Sequence, residues 1–141
     1  MGGGRFLARR CAVQALYQWQ MTGQAAAEIE TSFISNESLE GAYLEYFKDL
    51  IKAIPENVGK VDALLTPHLD RKVEKVDVIE LAILRVGAYE LAFQPDVPTR
   101  VVLDEAIELA KIFGSENGYR FVNGILDKVA AVARNDSKNS N

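Results

Sequence analysis

Apolar residues in this chain recur at intervals of three and four nearly from end to end, and no stretch alternates apolar with polar residues as a half-buried strand would. That period admits a bundle of amphipathic helices and leaves no material for a sheet, so the expected fold class is all-α. In the first segment, GRFLARRCAVQALYQWQ, residues Ala8, Ala12, Ala15, Leu16 and Trp19 share one side. A helix built this way packs closely through its alanines and anchors through the indole. Arg10, Gln14 and Tyr17 line the other side at the same spacing, and Gly23 is the expected stop. AAAEIETSFI reads as a short second helix, followed by a SNES loop. LEGAYLEYFKDLIKAI reads as a third, with a stripe of Leu39, Tyr43, Tyr46, Phe47, Leu50 and Ile54. Pro55 and Glu56 make a favourable first turn for a fourth, running through Val58, Val61, Leu64 and Leu65 until Pro67.

The second half follows the same logic. DRKVEKVD is the most charged segment and is expected to join two sub-bundles, residues 5–70 and 71–135, within one domain. VDVIELAILRVGAYELAF is apolar around most of its circumference, the pattern of a helix buried on all sides. QPDVP breaks the chain, and TRVVLDEAIELAKIF turns Val102, Leu103, Ala106, Ile107, Ala110 and Phe113 inward while Asp104, Glu105, Glu108 and Lys111 face out. SENGYRFVNGILDKVAAVAR opens a last helix, and residues 135–141 are too polar to pack. The expectation is a bundle of about seven helices.

Charge is distributed unevenly. The chain carries a formal net charge of −4, yet residues 1–27 contain Arg5, Arg9 and Arg10 and no acid. A cationic end on an acidic body is a candidate polyanion contact, although three arginines also suffice merely to solvate a helix start. The chain has one cysteine, Cys11, and one histidine, His68, too few for an internal disulfide or a structural zinc site. No bilayer-length apolar run and no signal-peptide pattern is present, so a cytoplasmic protein without a membrane partner is expected. The opening MGGGRF has the glycine of a myristoylation signal but Phe6 where that signal needs Ser or Thr, and the glycines read as a flexible lead-in. Phosphate-loop, dinucleotide, zinc-protease and nucleophile-elbow motifs are all missing, which points away from an enzyme and from any cofactor.

One segment stands out. FGSENGYRFVNG places Asn117, Tyr119, Arg120, Phe121 and Asn123 around a helix start between glycines at 114, 118 and 124. Aromatic faces, a guanidinium and amides are what unstacked bases are read with. Packing is the competing use of the same residues, since Phe121, Ile125 and Val129 also recur at i, i+4 and i+8.

Three blocks in order, RRCAVQALYQWQ, ILRVGAYEL and VPTRVVLDEAIELAKIFGSENGYRFVNGILDKV, resemble the NusB family of transcription antitermination factors over nearly the whole chain. The resemblance implies two small helical bundles and a non-enzymatic role: binding the boxA element of nascent RNA together with NusE, a small-subunit ribosomal protein, within an RNA polymerase antitermination complex that acts notably in ribosomal RNA operons. It implies that Arg5, Arg9 and Arg10 meet RNA phosphates with Gln14 and Tyr17 beside them, and that Asn117, Tyr119, Arg120, Phe121 and Asn123 supply the other half of the RNA surface. It further places the protein partner at EKVDVIE, where Glu74, Asp77 and Glu80 would complement a basic ribosomal protein. Two other readings stay open: a helical module like that of some ribosomal RNA methyltransferases, and an adaptor that binds protein alone. A second copy of the chain would also cover an aromatic surface of this kind, so a homodimer remains open.

Overall fold

The computed structural model describes residues 3–36 and 41–134, which form seven α-helices joined by turns and two short 3-10 turns, with no strand among the described residues. Leu39, part of the SNES loop and the polar tail lie outside the described residues. The chain divides into two compact units, residues 1–58 and 59–141. The division therefore falls at the break after the third helix and not at the charged segment DRKVEKVD.

In the first unit, α1 (Gly3–Thr22) packs against α2 (Ala26–Asn36) and α3 (Gly41–Glu56). The buried alanines at 8, 12 and 15 keep that side of α1 thin, and Leu16 fills the space between the helices. Gly23 terminates α1 with a φ of 72°, the left-handed conformation that releases a helix, and its N–H donates to the Trp19 carbonyl at 3.0 Å. On α2 and α3, Ile29, Phe47, Leu50, Ile51 and Ile54 are fully buried, and the Phe33 and Phe47 rings meet at 5.9 Å.

Pro55 does not open a fourth helix. It lies in the last turn of α3, where its fixed φ is compatible with helix, but the missing N–H and the ring's crowding of the carbonyl one turn earlier weaken the ladder just before the helix ends. The break comes at Asn57, whose backbone N–H and side-chain amide both donate to the Ala53 carbonyl, at 3.0 and 2.8 Å. Helix α4 (Val58–Leu65) starts beyond it and, as expected, ends before Pro67.

The second unit is centred on α5 (Val78–Phe93), with α6 (Thr99–Phe113) and α7 (Gly118–Ala133) packed on it and on each other. Every residue from Glu80 to Leu91 is buried. Such a helix cannot hide its charged side chains without partners. Arg85 is gripped by Asp62 of α4 through two parallel hydrogen bonds of 2.9 Å, the bidentate geometry that carboxylate and guanidinium favour.

Carbonyls at the C-terminal end of α5 and in the loop after it have acceptor capacity that the helix ladder leaves unused, and Arg134 supplies donors for them. Its guanidinium donates to the carbonyls of Glu90, Leu91, Gln94 and Val97 and to the Thr99 hydroxyl, at 2.6–3.2 Å. One side chain thus ties the end of α7 to the end of α5, the connecting loop and the first residue of α6. Arg134→Ala should lower stability by about 2–4 kcal/mol in denaturant titrations, since several carbonyls lose a charged donor at once. Arg134→Lys should recover little of it, because an ammonium cannot span the same set of acceptors.

Candidate nucleic-acid interface

The first unit offers the outer face of α1. Arg10, Gln14 and Tyr17 are all exposed there, in a row set by the helical repeat. The other two arginines behave differently. Arg5 is exposed, and its guanidinium lies over the Tyr46 ring at 4.8 Å from the centroid. Arg9 approaches the same ring at 5.5 Å and is only 2% exposed. Arg9 is therefore a packed residue and not the surface phosphate contact expected of it, because one turn along α1 from Arg5 the helix already faces α3. Its long apolar stem suits that position, with the charge stabilised by the ring face.

The second unit offers the start of α7. Asn117 occupies the N-cap position and is exposed, its side chain making no capping bond. Tyr119 is half-buried between two cations: Lys111 Nζ lies 5.0 Å and the Arg120 guanidinium 5.7 Å from its ring centroid. Arg120 Nε donates to the phenol oxygen at 3.2 Å, and this bond, helped by the nearby Lys111 charge, holds the Tyr119 hydroxyl below the usual tyrosine range. Val122, Ile125, Leu126 and Val129 form the buried stripe of the helix, while Phe121 and Asn123 sit half-buried at its edges. Phe121 thus belongs to the surface as much as to the core.

Arg71 lies over the Phe121 ring at 5.1 Å, and Lys111 flanks Tyr119; neither was singled out from the sequence for this site. Lys111 could have been found, being exposed one helix earlier on the polar face of α6. Arg71 sits in a turn fifty positions from its ring, and no local pattern links the two.

The acidic segment separates into three fates. Glu74 is exposed on a 3-10 turn, and Asp77 caps α5 by accepting the Glu80 N–H at 3.1 Å while remaining exposed. Glu80 is not on the surface. Its carboxylate accepts from the Ser115 hydroxyl at 3.0 Å and the Ser115 N–H at 3.3 Å, and only 7% of the residue is exposed. A side chain at position 118 would collide with that carboxylate, which explains the glycine at the start of α7. Glu80 is thus removed from the expected protein-facing set: it is a strut beneath the loop that leads into α7. Glu80→Ala should cost about 1–3 kcal/mol of stability by leaving the Ser115 groups without their acceptor, and Glu80→Gln, which keeps an acceptor, should lose less. Thermal melts of both variants check this.

Among the described residues no cluster of His, Cys, Asp and Glu could hold a metal ion, and no helix is long and apolar enough to cross a membrane. Comparison with known proteins is consistent throughout. A model described as NusB family matches residues 7–131. The transcription antitermination protein NusB of Pasteurella multocida (strain Pm70) is 51% identical over 125 residues, covering 89% of this chain and 87% of that protein. That of Nitrosococcus oceani is 50% identical over 134 residues, covering 95% and 90%. Among solved structures, T. maritima NusB superposes with a TM-score of 0.80 at 32% identity over 89% of both chains. A chain from a crystal structure of the antitermination factors NusB and NusE in complex with dsRNA reaches 0.84 at 25% identity, covering 94% of this chain and 99% of its own. The chain belongs to the NusB family.

Proposed function

We propose that this protein is a cytoplasmic antitermination factor that acts by binding and not by catalysis: it takes up boxA-type single-stranded RNA together with NusE and supports read-through by RNA polymerase, notably in ribosomal RNA operons. The observation that carries the reading is the start of α7, where Tyr119 and Phe121 stand half-exposed among Arg71, Lys111 and Arg120. Rings with cations over and beside them suit a strand whose bases are unstacked and whose phosphates need neutralising. Family membership supports the same reading, as does the relative of this fold crystallised with NusE and dsRNA.

Within each unit the residues divide by task. On α1, Arg10 supplies a phosphate contact, with Gln14 and Tyr17 able to meet sugar or base edges. On α7, Tyr119 and Phe121 offer stacking surfaces and Asn117 and Asn123 offer amides for base edges. Arg5 remains an exposed cation beside Tyr46, whereas Arg9 supports α1 from within. The protein partner is assigned to the exposed carboxylates Glu74 and Asp77, which complement a basic ribosomal protein.

Titration with boxA-type and scrambled single-stranded RNA, with and without NusE, tests the reading. Arg10→Ala should weaken both RNAs alike and reduce the slope of log affinity against log salt by roughly 0.7, one single-strand phosphate contact. Unchanged binding at low salt would return Arg10 to a solvating role.

Phe121→Ala separates stacking from packing. A stacking ring should cost roughly 1–3 kcal/mol of RNA affinity with little change in melting temperature. A loss of about 3–5 kcal/mol in stability, with RNA affinity of the folded fraction intact, would instead place the ring in the core.

A further inference from the structure

The turn before α5 holds an arrangement that the proposed RNA surface does not by itself explain. Arg71 has its guanidinium over Phe121, and its fork is already occupied: Nε donates to Asp70 Oδ1 at 2.7 Å and Nη2 to Asp70 Oδ2 at 3.2 Å. Both side chains are open to solvent, with 46% of Arg71 and 73% of Asp70 exposed. An ion pair between adjacent, solvated residues contributes little to the fold. Its location is the informative feature, since it fills one side of a ring that stands at the start of α7.

We infer that Asp70 is an internal stand-in for an RNA phosphate, holding the Arg71 fork over Phe121 until a strand arrives and exchanges phosphate oxygens for the carboxylate. This inference rests on the RNA-binding reading of the α7 surface and deepens it by adding Arg71 as a contact and Asp70 as its competitor. Carboxylate and phosphate present the same pair of acceptor oxygens to a guanidinium, so the exchange preserves the bidentate geometry. The pair being weak, it is readily displaced by a polyanion that also gains Lys72, next in the chain, and Lys111 and Arg120, which stand beside Tyr119 two positions before Phe121, all three exposed. Phe121 remains beneath the guanidinium throughout, so the side chain is already ordered when the phosphate arrives and loses less freedom on binding. Asp70 opposes binding twice: it occupies the fork, and its charge repels the backbone. Removing it should therefore strengthen RNA binding, through Arg71.

The test is a two-by-two set of full-length variants, Asp70→Asn, Arg71→Gln and the double variant, titrated against one boxA-type single-stranded RNA across a range of salt. Asp70→Asn should bind about threefold or more tighter at low salt, and Arg71→Gln should bind more weakly with a salt slope shallower by roughly 0.7, the value of one single-strand phosphate contact. In the Arg71→Gln background, Asp70→Asn should gain clearly less, keeping only the share due to charge repulsion, because the group it competes for is gone. Melting curves of all three should coincide with the wild type, as both side chains are exposed. An equal gain from Asp70→Asn with and without Arg71 would overturn the exchange and leave only long-range repulsion. Arg71→Gln binding as tightly and as steeply as wild type, or a marked loss of melting temperature, would overturn it as well. If the wild type itself fails to bind RNA, the reading of the surface falls and the inference with it. If the wild type binds and Arg10→Ala weakens it while the Asp70 and Arg71 variants are silent, only the inference falls.

Discussion

The burial of α5 is the constraint to which the second unit answers. A helix that hides every residue from Glu80 to Leu91 gains strongly from apolar burial, yet it takes charged side chains and an end with unpaired carbonyls out of water. Each named exception has been met by a different element. Asp62 of α4 neutralises Arg85, Ser115 of the α6–α7 loop satisfies Glu80, and Arg134 past the end of α7 covers the last carbonyls. These bonds decide which elements must stand next to α5 and in what register, which apolar contacts alone specify loosely. A buried ion pair is a poor source of net stability, and its better-attested contribution is to make one arrangement preferable to its neighbours.

The same constraint reaches the candidate interface. Glu80 holds the Ser115 backbone and hydroxyl, and the glycine at 118 lets the α7 backbone close down on that carboxylate. The α6–α7 loop is thereby fixed from beneath, and the first turns of α7 emerge at a defined position with Asn117, Tyr119, Arg120 and Phe121 outward or at the edge. An acidic residue that reads from the sequence as a docking contact works instead as a support for the surface beside it. Loops that bind are most useful when a rigid scaffold positions them, and here a single buried carboxylate performs that service.

How far the sequence reveals this follows from which interactions are local. Helix spacing, the alanine side of α1, the stop at Gly23 and the all-round burial of α5 are periodic or turn signals, and they are legible. Arg10, Gln14 and Tyr17 are exposed as the helical repeat requires. The place of Arg9 is hard to read locally because its environment comes from Tyr46 on another helix, although its i, i+3 and i, i+7 spacing to Ala12 and Leu16 puts it near the buried side. The acceptor role of Glu80 is not local, since it depends on a loop thirty-five residues away; its place three residues after the Asp77 cap and inside an apolar run is the sign that the sequence carries. Pro55 has the local signature of a helix start, yet it stands in the last turn of α3, where a proline weakens the ladder and the helix ends one residue later.

Counting charges along the chain also hides how this protein presents its cations. Its net charge is negative, so an attraction for a polyanion must be local. Several exposed cations are set against aromatic rings: Arg5 on Tyr46, Lys111 and Arg120 on Tyr119, Arg71 on Phe121. A ring face attracts a guanidinium without neutralising it, whereas a carboxylate attracts it and cancels its field. Cations held this way are ordered and still charged, which is what a phosphate contact needs. Arg71 has both kinds of partner, ring below and Asp70 beside, so the availability of its charge can change when a competing anion arrives.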